Sequence, residues 1–418
     1  MKKSYNFSTY RTMPASTLRT MMRNWVDTYV RPRRREFDEH WDSHAIFDEA
    51  LKVLMIDIGW QKAFMPPELG GWGAGNVSNI ASFCTVVFEE MSRGDLGMNI
   101  AFASGYWSLL MIAMKPEYNM RLLADLAPLA QSKDKLFFGG LFMTEPQGGS
   151  DIENVDLIHG STIRTTARLD GDEWVINGHK LWPSNSGGVA NVHGVVCTTN
   201  PGSSNDDDIA FIFVPDDLPG VTQGKPYEKA GVASDKNSDV WYEDVRVPAY
   251  YRALGPGKDA LRYKEVMCLG MLTAIFNVGP LLDIYEKLCD FCARKTLHGR
   301  PLNEHEAVAA ELAEIAGGIE ACRSAVYGLA AVLDRPDLYG PRWSHQNVAK
   351  ARLTKMFVAD RTYQDAGRAM NILQEYGADR QWDIEKHWRD MKMVQLWLGG
   401  KQLALMEGAR YFYDCKTL

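Results

Sequence analysis

The chemically richest stretch is Met143-Thr144-Glu145-Pro146-Gln147-Gly148-Gly149-Ser150-Asp151. It offers hydroxyls, a carboxylate and two adjacent glycines whose bare backbone lets a ligand come close. Successive N–H groups in such a loop can hold a phosphate, and the polar edges can hold a planar ring. A plain glycine-rich turn is the other reading of the same residues. About thirty residues further on come Asn177-Gly178-His179-Lys180 and Trp182-Pro183-Ser184-Asn185. Elsewhere Cys289 and Cys292 form a C-x-x-C, but inside a helical run, where two packed thiols on one face are expected rather than a redox or metal site. The seven cysteines are odd in number and dispersed, which reads as reduced thiols, and no metal site is expected.

The elements that must carry these residues read as helical, then strand-rich, then helical. Ile80, Phe83, Cys84, Val87, Phe88 and Met91 recur at three- and four-residue steps, one buried helix face. The Gly/Pro cluster at 66–75 before it must be a turn or loop. Residues 137–145 read as a buried strand leading into the loop. Residues 166–178 read as a hairpin around Asp170-Gly171, and strands continue at 193–200, 209–215 and 239–248. After Pro248 helices return, with Val308, Leu312, Ile315, Ile319, Cys322 and Val326 on one face. The segment 391–412 is helical in character yet contains Gly399-Gly400, a pair that costs about 1–2 kcal/mol inside a helix. Either a helix starts there or something approaches the backbone. The expected class is α+β: a helical domain over 1–135, a β domain over 136–250 and a helical domain over 251–418.

Composition narrows the functions. The chain has 418 residues, 46% of them hydrophobic and 24% charged, as in ordinary globular proteins, so disordered, collagen-like and coiled-coil classes are excluded. Its formal net charge of −7 argues against nucleic acid as the main partner. No uninterrupted apolar run reaches the ~20 residues of a membrane span. Lysines at the start have no apolar stretch behind them, so no secretory signal is read and a cytoplasmic location is expected.

Taken together, the two polar clusters resemble the acyl-CoA dehydrogenase family of flavoproteins. The family's T-E-P-x-x-G-S-D and N-G-x-K-x-W-I-T-N are matched in order and at the right separation. Pro67 to Gly71 resembles its P-E-x-x-G-G, Glu89 to Arg93 its E-E-x-x-R, Lys295 to Leu302 its R-x-x-F-G-x-P-I, and Gln374 to Gly377 its Q-x-x-G-G. Arg389-Asp390 fits the R-D before its last catalytic segment. The resemblance implies an N-terminal helical domain, a middle β-barrel or sandwich domain and a C-terminal four-helix bundle. It implies FAD, an acyl-CoA substrate, an electron-transferring flavoprotein as acceptor and a tetramer or dimer whose neighbour reaches the cofactor. Met143 and Thr144 would face the isoalloxazine, Trp182 would stack on it, and Ser184 would contact it where the family has Thr. Gly149 and Ser150 would lie in the same loop, Ser150 near CoA or the flavin edge. Arg294 or Lys295 would meet the diphosphate, and Gln374 and Gly377 the diphosphate or adenine, of a neighbour's cofactor.

The pattern breaks at the catalytic base. The family's Glu, counted on from Arg389-Asp390, falls on Leu398, and leucine cannot accept a proton. The backbone at Leu398 and Gly399 can still polarise a thioester carbonyl. Three explanations stay open. By the resemblance, Asp95 would stand where family members acting on alicyclic esters carry an aspartate; as an ordinary residue it would be a helix cap. Glu265 lies near the place where isovaleryl-type members carry theirs, although a count back from Arg294 reaches Cys268 instead. The third is a different reaction, as in flavin monooxygenases or desulfinating and decarboxylating lyases of this fold. A flavin-containing nucleic-acid binder is the non-enzymatic alternative, and the acidic charge counts against it.

Overall fold

A computed structural model describes residues 13–149, 152, 163–203 and 205–415. Ser150 therefore lies outside the described residues. The fold is α+β, with helices before and after a block of strands in chain order. The first part holds α1 (Met13–Trp25), α2 (Arg34–Glu39), α3 (Ala45–Lys52), α4 (Ile80–Gly94), α5 (Leu96–Ala113) and α6 (Met120–Ala130). All eighteen residues of α5 are buried, which matches a helix that is apolar on every side. Asp95 begins it: its carboxylate accepts the Met98 N–H and caps the helix.

The strands are β1 (Gly139–Phe142), β2 (Thr166–Asp170), β3 (Glu173–Ser184), β4 (Val192–Thr198), β5 (Ile209–Pro215), β6 (Val221–Gln223) and β7 (Asn237–Pro248). They form one sheet in the order β1-β4-β2-β3-β7-β6, with β5 added antiparallel against β4. The expected hairpin is present, with Asp170 opposite Glu173 and Gly171 at φ +67°. Its second strand runs past the expected end at 178 to Ser184. Its pairing with β7 shifts register between Leu181 and Ser184, and Trp182 and Asn185 take φ +67° and +68° there. Such bulges re-aim side chains beside functional sites.

The last part comprises α7 (Lys258–Gly270), a tight helical segment at Met271–Asn277, α8 (Val278–Arg294), a two-residue-strand hairpin β8 (Thr296–Leu297) and β9 (Arg300–Pro301), α9 (Glu306–Leu333), α10 (Pro336–Tyr339), α11 (His345–Leu373), α12 (Glu375–Ala378), α13 (Ile384–Leu396) and α14 (Gly400–Tyr413). The long helix α11 packs on α8, α9, α13 and α14, which makes the bundle. The glycine pair ends one helix and starts another: Leu398, Gly399 and Gly400 have φ +51°, +76° and +58°. A Cβ on Gly399 would lie 2.2 Å from Leu403 Cδ2, so only glycine fits.

Buried ion pairs join the first and last parts. Glu89 receives Arg323 Nε at 2.6 Å, the Tyr327 hydroxyl at 2.5 Å and Arg19 at 2.7 Å. Arg34 donates to Asp283 at 2.8 Å. Helix α5 and the α7–α8 run are long and apolar enough to cross a membrane by length and composition, but their apolar windows are wholly buried in the protein.

Candidate active site

The glycine-rich loop is anchored by a residue the sequence reading gave no role. Glu145 pairs with Gly148 across a tight turn, through backbone bonds of 2.8 and 3.1 Å. Its buried carboxylate accepts from Lys180 Nζ at 2.8 Å, the Thr165 N–H at 2.9 Å, the Arg164 N–H at 2.7 Å and the Gln147 amide at 2.6 Å. Burial works against its charge, but Lys180 and these donors hold the carboxyl below its usual range. Lys180 also donates to the Met143 carbonyl at 2.9 Å. The visible signal was a Lys and a Glu set into apolar runs, which are rarely buried unless paired.

The loop and the bulged end of β3 then meet. The Thr144 carbonyl accepts the Leu181 N–H at 3.0 Å, and the Thr144 hydroxyl donates to the Leu181 carbonyl. That hydroxyl has spent its proton and offers its oxygen only as an acceptor. Trp182 leaves 48% of its surface exposed, with one face tilted against Tyr227 at 4.5 Å. Ser184 donates to the buried carboxyl of Asp235 at 2.9 Å. Among the described residues, nothing lies within 4 Å of where a Cβ on Gly149 would sit. A flat apolar indole, two hydroxyl oxygens and a glycine suit the face and edge of a planar polar ring.

A second cluster surrounds Asp95, which is fully buried. Its Oδ1 accepts the Met98 N–H at 2.8 Å and the Ser234 hydroxyl, and its Oδ2 accepts Lys386 Nζ at 2.7 Å. The same ammonium reaches Asp390 Oδ2 at 2.7 Å. Asp390 Oδ1 accepts the Val232 N–H at 2.6 Å, and Val232 has φ +52°, a strained value for a β-branched residue. Burial opposes the Asp95 charge, but Lys386 outweighs it and holds the carboxyl low. At Asp390 burial and the nearby Asp95 charge win over Lys386, and its carboxyl is raised. The sequence reading missed Lys386; its i, i+4 spacing to Asp390 was the available signal.

Leu398 is buried, and its loop is held by two buried cations of α11. Arg352 donates to the Leu398 carbonyl at 3.2 Å and Lys355 to the Trp397 carbonyl at 2.7 Å. The Trp397 ring lies 6.2 Å from Trp107 and 5.8 Å from Phe276. Trp107 is also a wall of a narrow apolar cavity between α4, α5 and the segment at the end of α7. Seven of its lining residues are aromatic (Trp60, Phe64, Phe83, Phe88, Phe102, Tyr106 and Trp107), and none of the described ones is charged. Asp95 is not among them. The predicted helix face contributes Ile80, Phe83, Cys84, Val87 and Phe88, so it faces this space as well as the core. Glu265 lies on α7, bound by Arg342 at 2.9 Å and Arg262 at 3.1 Å. Cys268, one turn on, is buried, and burial pushes its thiol up to about 12.

The residues expected at a neighbour's cofactor form a separate group at the C-terminal ends of α8 and α11. Arg294 is exposed and pairs with Asp290. Lys295 lies over the Tyr376 ring at 5.6 Å. Gln374 takes φ +52° between α11 and α12, and Gly377 packs against the α11 backbone, where a Cβ would lie 3.1 Å from Met370 Cα. Among the described residues no His, Cys, Asp and Glu group could hold a metal.

Comparison with known proteins agrees with this arrangement. Models of the acyl-CoA dehydrogenase N-terminal, middle and C-terminal domains match residues 14–127, 140–245 and 270–411. A cyclohexane-1-carbonyl-CoA dehydrogenase of Syntrophus aciditrophicus (strain SB) is 27% identical, covering 94% of this chain and 95% of its own. A cyclohex-1-ene-1-carbonyl-CoA dehydrogenase of the same organism is 26% identical, covering 94% and 88%. In fold, the chain is similar to the butyryl-CoA dehydrogenase of Megasphaera elsdenii, with a TM-score of 0.79 at 22% identity over 96% of this chain and 98% of that one.

Proposed function

We propose, for a chain that belongs to the acyl-CoA dehydrogenase family and dehydrogenates an acyl-CoA thioester, that the acyl group is a ring or a similarly bulky apolar body. The observation that carries this is the cavity walled by seven aromatic rings with no charged side chain among its described residues. Flat aromatic walls suit a compact hydrocarbon, and nothing there would compensate a buried distal carboxylate. The two Syntrophus relatives, named for cyclic esters, support the same class.

FAD is the cofactor of this reading, and when bound it supplies the hydride acceptor. Met143, Thr144, Gly149, Trp182 and Ser184 would hold the ring, with Ser150 beside them. Arg294, Lys295, Gln374 and Gly377 would serve the diphosphate and adenine of a neighbouring copy, so a homo-oligomer is part of the proposal. An electron-transferring flavoprotein as acceptor and a cytoplasmic location complete it.

The chain's own residues do the rest. The aromatic walls exclude water from the acyl group. The Leu398–Gly399 backbone, fixed through Arg352 and Lys355, is offered to the thioester carbonyl, where an N–H donor stabilises charge as the α-carbon loses its proton. Asp95 is the proton acceptor. The second carboxylate, Glu265, suits this less well, because two guanidinium groups hold it at 2.9 and 3.1 Å. The test is Asp95→Asn under anaerobic mixing with cyclohexane-1-carbonyl-CoA. The flavin should stay bound and oxidised. A variant reduced at the wild-type rate overturns the assignment of Asp95.

A further inference from the structure

Asp95 does not hold its cation alone. Lys386 stands 2.7 Å from Asp95 and 2.7 Å from Asp390, and all three side chains are buried. Two carboxylates around one ammonium leave these three groups with one net negative charge. A buried net charge is costly, and binding one proton removes it. The remaining contacts of the two acids, Met98 N–H and Ser234 on Asp95 and Val232 N–H on Asp390, are neutral donors.

Other charged groups face the cluster but spend their hydrogen bonds elsewhere. Lys229 acts on Asp390 from a distance and donates to the Asp235 carbonyl and the Asn237 side chain. Lys236 acts on Asp95 and donates to the carbonyls of Trp41 and Ala233. Asp38 acts on Lys386 and is paired with Arg389 at 2.8 Å, and Asp235 is held by Ser184.

We propose that Asp95, Lys386 and Asp390 work as a single one-proton acceptor, in which Asp390 is a positioning residue that keeps Lys386 from neutralising Asp95. The inference rests on Asp95 being the base. As the substrate C–H bond breaks, its proton joins the Asp95 carboxylate. The hydride leaves with both electrons to the flavin of the proposed function. The cluster passes from one net negative charge to none, and Lys386 keeps Asp390 as its full partner. The opposite displacement of the two acids, Asp95 held low and Asp390 raised, fits groups that share one cation and titrate together.

The test is the pH dependence of anaerobic flavin reduction by cyclohexane-1-carbonyl-CoA in wild type, Asp390→Asn, Lys386→Met and Asp95→Asn. A base works deprotonated, so the rate rises with pH through its acidic limb. In Asp390→Asn, protonating Asp95 would strand Lys386 without a counter-charge, so the limb should move down by about one pH unit or more. In Lys386→Met, two carboxylates face each other without a cation, and the limb should move up by about as much. A loss of folding would not move the two variants in opposite directions. An infrared titration of the protonated carboxyl band should show the same opposed shifts, even in a variant that does not turn over. Limbs and bands that stay at the wild-type position, or move the same way in both variants, overturn the shared acceptor. If Asp95→Asn is inactive while the other two keep the wild-type limb, only the shared acceptor fails. If Asp95→Asn reacts normally, the base assignment itself fails.

Discussion

Replacing Glu145 by Ala should undo the ring-binding loop before it harms the rest of the fold. The substitution removes one carboxylate and four accepted hydrogen bonds, and it strands Lys180, whose side chain is fully buried. Lys180 keeps the Met143 carbonyl, but no counter-charge. An uncompensated buried charge costs about 3–5 kcal/mol. Lys180→Met is milder, because the carboxylate keeps three donors, and about 1.5–3 kcal/mol is expected. The double variant strands no charge, so it should be less damaged than the sum of the two. The assay is flavin fluorescence released on heating, read beside the unfolding transition. In Glu145→Ala, flavin should leave well below the wild-type temperature. The docking is also acid-sensitive: Glu145 is held below its ordinary 4.5, so its stabilisation is complete above that pH and drains away below it. Wild-type flavin retention in Glu145→Ala, or strict additivity in the double variant, would refute the reasoning.

Glu89 is held down to about 2 by Arg19, Arg323 and Tyr327 against the cost of burial, from an ordinary 4.5. It contributes about 3 kcal/mol that is complete above pH 4.5 and lost toward pH 2. Urea unfolding of Glu89→Gln should therefore differ from wild type more at pH 7 than at pH 3. Gly399→Ala forces a Cβ into Leu403 at φ +76° and should cost about 1–3 kcal/mol in thermal unfolding. Gly149→Ala, whose Cβ meets nothing within 4 Å among the described residues, should stay within about 0.5 kcal/mol of wild type.

Much of the scaffold was legible because it rests on local periodicity and turn chemistry. The Ile80–Met91 face and the Val308–Val326 stripe declare their period within one helix each, and the Asp170-Gly171 turn declares itself by its two residues. The glycine pair at 399–400 was legible only as a disturbance; the positive φ of Leu398 beside it shows that a helix both ends and begins there. The bulge that aims Trp182 and Ser184 was not legible, since register is a property of two strands and the partner residue lies at Asn237. The pairs Glu145–Lys180 and Asp95–Lys386 join residues 35 and 291 positions apart, so a single sequence shows the charges but not the pairing. Asp95 could be read as cap or base; it caps α5, and the same carboxylate faces Lys386 with its second oxygen.

The central claim concerns the acyl group, and the most direct measurement is anaerobic bleaching of the purified flavoprotein by three esters. Cyclohexane-1-carbonyl-CoA should bleach the flavin fastest. Butyryl-CoA should be slower, because a flexible short chain makes less flat contact with the aromatic walls. Glutaryl-CoA should leave the flavin oxidised, because no cation is among the described residues of the cavity wall to receive its distal carboxylate. Bleaching by glutaryl-CoA or butyryl-CoA with none by the cyclic ester would contradict the account.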